Sequence, residues 1–273
     1  MASHDLKRIL AGWPYEPGQI TVRKVMGDDG HIKIQMRLDL GLLQMEYEGR
    51  PDGERPHGAE SLLEHHKQGL SEHTRRSGTD LGFELSADDC QALRDEAVMY
   101  YHRYLSLFVL EEFEGVERDT RRNLEVLDFC RKYAAEEDDR LALEQYRCYL
   151  IMMNTRAKAH RAIEQNAYKT ALAYVEAGLH EMEEHLESVE RAEDEADEPG
   201  EVTILRALRS EILERVPADP VSSIEEQLAS AINEERYEEA AVLRDRLAAI
   251  RRQRRGRRSD AEPDRGRKRK RTL

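Results

Sequence analysis

From Ser86 to about Leu186 the apolar residues recur at the three-and-four spacing of a helix almost without interruption, and no other feature constrains the fold as strongly. Leu93, Ala97, Tyr100, Tyr101, Tyr104, Leu105, Phe108 and Val109 make a face too broad for a single neighbour, so the first helix of this run must be covered from more than one side. Ser86 and Asp89 have the spacing of its N-terminal cap. Gly115 reads as its break. Leu124, Leu127 and Cys130, with Tyr133 or Ala134, mark a second helix, and Leu141, Leu143, Tyr146, Tyr149, Leu150 and Met153 a third. Such faces are buried most simply against one another, as helical hairpins stacked side by side, and arrays of that kind bind other proteins.

Upstream the period changes. Residues 1–12 read as a short helix with Leu6, Ile9 and Leu10 on one side, stopped by Gly12 and Pro14, and Trp13 reads as a packing anchor. Ile20, Val22 and Met26, then Ile32, Ile34, Met36 and Leu38, alternate around the turn Gly27-Asp28-Asp29-Gly30, the pattern of a β-hairpin. Leu43, Met45 and Tyr47 continue it as a third strand from Leu42 to Glu48, giving a small antiparallel sheet with one wet face. The loop Gly49–Gly58 gathers Arg50, Asp52, Arg55 and His57 and leads into a helix from Ala59 to Gln68. Two arginines with free backbone N–H groups could hold an anion or a partner; a long structural turn is the alternative. The fold expected is therefore mainly α with a small N-terminal antiparallel β-sheet. Its parts are a sheet region with flanking helices at 1–70, helical hairpins at 86–187, an acidic linker at 188–201, a short helix at 202–216, a further hairpin at 222–250 and a disordered basic tail at 256–273.

Of the 273 residues, 36% are charged and 6% aromatic, which favours extended helices over a thick core. The start, MASHDLKRIL, lacks the apolar core of a signal peptide, and no apolar run is long enough to cross a bilayer. Cys90, Cys130 and Cys148 are odd in number and lie among apolar neighbours, as buried thiols in a reducing compartment would. A cytoplasmic protein with no membrane association is expected. The net charge of −13 conceals an asymmetry: residues 251–273 carry twelve Lys/Arg and three Asp/Glu, a balance of +9, leaving −22 on residues 1–250.

Ser222 and Ser223 follow Pro220, and each is followed three residues later by a glutamate, so either serine could cap a helix. Ile224, Leu228, Ala231 and Ile232 recur at helical spacing, the pattern lapses at Asn233-Glu234-Glu235-Arg236, and Tyr237, Ala240, Ala241, Leu243, Leu247 and Ile250 resume it. A hairpin this small buries too little to stand alone, so its apolar side chains need another surface: a second copy, another such hairpin or this chain's own body, the last making it an ordinary helix pair packed on its own domain. On Leu228, Ala231, Tyr237-Glu238-Glu239-Ala240-Ala241, Leu243-Arg244-Asp245, Leu247 and Ile250 it resembles the UVR motif of the bacterial proteins UvrB and UvrC, found also in McsA and some Clp-type ATPases. The resemblance covers about a tenth of the chain and implies a bacterial interaction protein that docks a partner protein, another such hairpin or a second copy of itself, in coiled-coil-like fashion. It implies no catalysis. Leu228, Ile232, Tyr237, Ala240, Ala241, Leu243, Leu247 and Ile250 would supply apolar contact, and Arg244 and Asp245 polar register. The block from Gly12-Trp13-Pro14 through Gly58 resembles segments found beside such motifs in uncharacterised bacterial proteins. Ala159–Glu181, with Ala171 and Gly178 where two helices could approach closely, resembles the helix pair of a tetratricopeptide repeat, without its usual tryptophan and terminal proline.

Signs of chemistry are few. His180 and His185 are five residues apart, about 140° around a helix, and cannot share a metal as histidines four apart can. His57, His65, His66 and His73 lack ligand spacing, and no phosphate loop, dinucleotide fingerprint or nucleophile elbow is present. No cofactor, metal site or catalytic residue is expected. In the tail, Arg254, Arg255, Arg257, Arg258, Arg267, Lys268, Arg269, Lys270 and Arg271 suit phosphate-backbone contacts, or contact with the chain's own acidic body. The leading expectation is a non-enzymatic adaptor. A nucleic-acid-associated accessory factor, with DNA repair as one setting for it, is the second, and an enzyme built on residues 49–66 the third.

Overall fold

The structure is a computed structural model that describes residues 5–188, 199–216, 220–234 and 236–259; of the side chains of 220–223, 225, 226, 250, 251 and 253–259 it describes nothing. The chain divides into two units, Met1–Arg215 and Val216–Leu273. Among the described residues no helix is long and apolar enough to cross a membrane.

In the first unit the alternating segment forms β1 (Val22–Met26), β2 (Ile32–Arg37) and β3 (Leu42–Glu46), an antiparallel sheet in sequence order. Gly30 turns the first hairpin at φ +76°, a conformation glycine adopts without strain. The alternation places Ile34 and Met36 of β2 and Met45 of β3 inward, and β2 lies against helix α2 (Ala87–Val109). The opposite face is drier than its polar residues suggest. Lys33 lies between Asp29 and Glu46, at 2.5 Å from each, and Gln35 accepts from Arg23 and donates to Gln44, both at 2.8 Å, so the middle strand is covered on both sides. Residues 5–12 do not make the expected helix. They form turns, because Leu6 and Ile9 stay exposed and so brief a segment has no packing to sustain it. Trp13 is held in place as expected, with the Arg23 guanidinium 4.1 Å above its ring and its carbonyl accepting from Arg37 at 3.1 Å.

α1 (Leu62–Ser77) starts at Ser61, whose hydroxyl accepts from the Glu64 N–H, and ends at Gly78, φ +79°. It thus starts three residues after the expected Ala59 and runs past the expected end at Gln68, and the expected boundary at residue 70 falls inside it. Ser86 and Asp89 cap α2 reciprocally, as their spacing indicates. The break after α2 is not Gly115. The chain reverses at Leu110–Glu112, with Glu111 at φ +60°, and Gly115 lies within α3 (Phe113–Tyr133), where α3 passes Leu107. The third apolar segment divides into α4 (Glu137–Leu141), a 3-10 turn and α5 (Arg147–Glu164). α5 and α6 (Tyr168–Ser188) form a hairpin across a short turn at Asn166. Their close approach uses Gly178: a Cβ there would run into the Thr155 side chain. α7 (Gly200–Arg215) packs on α5 and α6, burying Val202, Leu205, Leu208 and Ile212. The helix expected at 202–216 therefore belongs to the helical array, and sheet and array share one unit.

The second unit holds α8 (Pro220–Asn233) and α9 (Tyr237–Ser259). α8 begins at Pro220, a residue suited to a first helical turn, so Ser222 and Ser223 lie within the helix rather than capping it. α9 passes Gly256, where sequence ends the helix, and reaches Ser259.

Candidate functional site

The described residues of the turn between α8 and α9 are tied to the flanking helices by hydrogen bonds and ion pairs. The Arg236 N–H donates to the Ala231 carbonyl at 2.8 Å, Ser230 donates to the Glu234 carboxylate at 2.7 Å, and the Arg236 guanidinium reaches Glu234 at 3.0 Å and Glu239 at 2.5 Å. From this turn the helices run together around Ile224, Ala231, Ala240, Leu243 and Leu247, with Leu228 half-buried against them. Ala231 and Ala240, nearest the turn, are small where the helices leave it; larger side chains fill the space farther along.

This divides the residues that sequence assigned to a partner. Ala240, Leu243 and Leu247 fill the hairpin's interior, because their three-and-four spacing puts them on the face of α9 that meets α8. Ile232 is 51% exposed, Tyr237 66%, and Ala241 is exposed beside Tyr237, one turn along. Val242, which the sequence reading passed over, is 68% exposed. Its signal was there to read: an apolar residue out of step with the 240, 243, 247 series. Tyr237 and Ala241 share a face of α9, whereas Val242, five residues on, lies about 140° around the helix from Tyr237. Arg244 and Asp245 are exposed and bonded to each other, Nε and Nη2 donating to one carboxylate oxygen at 3.1 and 3.0 Å. The side chains of Ile250, Arg254, Arg255, Arg257 and Arg258 lie outside the described residues, as do Arg267, Lys268, Arg269, Lys270 and Arg271 altogether.

The loop at 49–58 is tied into the first unit by charges that the sequence did not connect. Arg103 and Asp119 are buried together, the guanidinium donating to both carboxylate oxygens at 2.7 and 2.8 Å. The remaining Arg103 nitrogen donates to the carbonyls of Glu46 and Gly49, and Arg118 to that of Tyr47. Buried Glu96 accepts from the Leu62 N–H at 2.9 Å and pairs with Arg122 and, at 2.8 Å, with Arg50. Tyr100 lies under both Arg103 and Arg122, and burial pushes its phenol up to about 12. Arg50 also pairs with Asp52 at 3.1 Å, so these two residues hold the loop's shape. Arg55 lines a cavity of about 880 Å³ with Arg50 and His31, but its other charges are Asp29, Glu46, Glu48, Glu54 and Glu60, a lining that opposes an anion. His57, at φ +53°, stacks on His65 with centroids 4.2 Å apart.

His180 is exposed and pairs with Glu184 at 3.5 Å, whereas His185 faces Glu144 at 3.9 Å from the inner side of α6. The two point apart, as five-residue spacing requires. Cys90, Cys130 and Cys148 form no disulfide. Burial, with the neighbouring Cys90, pushes the Cys130 thiol up to about 12, which favours the protonated thiol over the thiolate.

Compared with known proteins, the chain matches the UvrB/uvrC motif over residues 219–253, the span of the hairpin and the start of its basic extension. No curated protein and no solved structure gave a match.

Proposed function

We propose that this chain is a non-enzymatic adaptor that docks a partner protein through the turn end of the α8–α9 hairpin. One observation carries the reading: within a match to an interaction motif, the leucines close the hairpin's interior, while Ile232, Tyr237, Ala241 and Val242, all within a few residues of the turn, stay exposed. Tyr237 has the character of an anchor, a large ring with a polar tip, and Arg236, Glu239, Arg244 and Asp245 form a charged surround that excludes water from a seated partner. A second hairpin of the same kind, from another protein or another copy, has the chemistry to fit it.

The test is a nuclease-treated pull-down from the native extract with the intact chain and with Ile232→Asp/Tyr237→Ala/Val242→Asp. These substitutions leave the interior leucines in place, so the helical circular dichroism should be kept while the partner is lost. A partner retained by the folded triple variant would overturn the reading. Replacing Leu243 would not serve, because it would open the hairpin itself.

The charge asymmetry favours a second reading, in which residues 251–273 attach the chain to a nucleic acid and the hairpin brings a repair-associated protein to it. Binding to a duplex of mixed sequence would then fall steeply as salt rises from about 50 to about 200 mM, and would vanish when residues 251–273 are removed. Equal affinity in the shortened chain would exclude it.

A further inference from the structure

The first unit contains a cavity of about 430 Å³ that neither the sheet nor the hairpin reading uses, within the size range of small-molecule sites. It opens between α2, α3 and α5 beneath the segment that joins α3 to α5. Leu127, Leu143 and Leu150 form its buried floor. Four tyrosines surround it: Tyr101 and Tyr104 from α2, Tyr146 from the joining segment and Tyr149 from α5. Tyr101 meets Tyr104 edge to face at 5.5 Å and tilts toward Tyr149 at 6.4 Å, so the rings stand as walls rather than closing over the space.

The charge and hydrogen-bonding capacity of these walls select the ligand. Arg94 is already engaged, its guanidinium 2.6 Å from Asp139 and 2.9 Å from the Gln91 side chain. Asn123 donates to the Ala97 carbonyl and accepts from Arg122. Partial burial favours the neutral imidazole at His102. The cavity therefore offers a charged ligand no countercharge for the hydration it would lose. What remains unused is uncharged. The Tyr104 ring is buried and lines the cavity, and its hydroxyl makes no hydrogen bond to any described residue. With no protein partner, that hydroxyl is free to donate to or accept from a group seated in the cavity.

We propose that this cavity binds an uncharged aromatic small molecule carrying a hydrogen-bonding edge, its ring between the tyrosine walls and its polar edge on the Tyr104 hydroxyl. The site lies outside the hairpin, so the inference stands or falls independently of the docking reading.

Indole is a suitable probe, titrated into the intact chain by calorimetry beside indole-3-acetate and N-acetyltryptophanamide. Tyr104→Phe removes one hydroxyl and no shape; Val98→Trp, at a half-exposed position on the lining, fills the space without touching the floor. Thermal melting confirms that both variants fold. Saturable binding of indole is expected, weakened about tenfold by Tyr104→Phe and abolished by Val98→Trp, with indole-3-acetate at least about tenfold weaker than indole. Absence of saturable binding to the intact chain would overturn the proposal, as would indole binding to either folded variant as tightly as to the intact chain. Equal binding of the carboxylate would refute the uncharged ligand, and equal binding of N-acetyltryptophanamide would reassign the site to a peptide side chain.

Discussion

Arg103 is the residue on which the join between sheet and helices turns. It is buried, shares Asp119 in a two-point ion pair, and holds the carbonyls at the exit of β3. Removing Arg103 leaves buried Asp119 with only the part-exposed Arg118, whose Nε donates to it at 2.9 Å. Arg103→Met should therefore cost somewhat less in urea denaturation than the about 3–5 kcal/mol of a fully stranded buried charge. Arg103→Met/Asp119→Leu, which removes both charges, should recover a good part of that loss. Nothing in the spacing of residues 103 and 119 announces the pair; arginines and acids are abundant on these helices, and only the packing of α2 on α3 decides which of them meet. Four histidines give a second expectation at this scale. His66, His102, His160 and His185 are each held below the ordinary value of 6.5, chiefly because burial opposes the charged form. As pH falls through 6.5 the unfolded chain takes up protons before the folded one, so their contribution is complete above that value and is lost toward the lower folded values. The urea midpoint should therefore decrease between about pH 7.5 and about pH 5.5, and His160→Phe, at a ring stacked 4.9 Å from Phe113, should flatten part of the decrease.

Among the elements, the α5–α6 hairpin shows how closely small residues set helix spacing. Gly178→Ala should destabilise the chain by about 1–3 kcal/mol, because the new methyl meets the β-branched Thr155, whose χ1 freedom in a helix is small. Thr155→Ala introduced with it should restore most of the thermal midpoint, whereas a loss due to helix propensity would not respond to position 155. Sequence marked Gly178 as a point of close approach but could not supply Thr155, which lies on another helix. The other hairpin teaches the converse. A repeat of apolar residues at three and four along α9 was legible, but whether a member faces α8 or solvent depends on the helix beside it, so Leu243 and Leu247 were assigned to a partner when they close the interior.

For the whole molecule, the division at Arg215 carries its own expectation. The first unit buries its own core from Ile34 through Ile212, and a chain ending at Arg215 should keep a cooperative thermal transition close to that unit's transition in the full chain. A broad, non-cooperative melt would show that the core is incomplete without the hairpin. The sequence by itself determined the class of the fold, the three strands and their turn, the helical array, the hairpin and its likeness to an interaction motif. These follow from local periodicity, capping and turn chemistry, which act over a few residues and are written in the order of the chain. Only the tertiary structure decided that sheet and helices share one unit, that Arg50 and Asp52 support a loop, that four tyrosines surround one cavity, and that Ile232, Tyr237 and Val242 remain outside. Those outcomes depend on which faces meet when distant segments pack, and burial of a charge or a ring is a property of its neighbours in space rather than of its position along the chain.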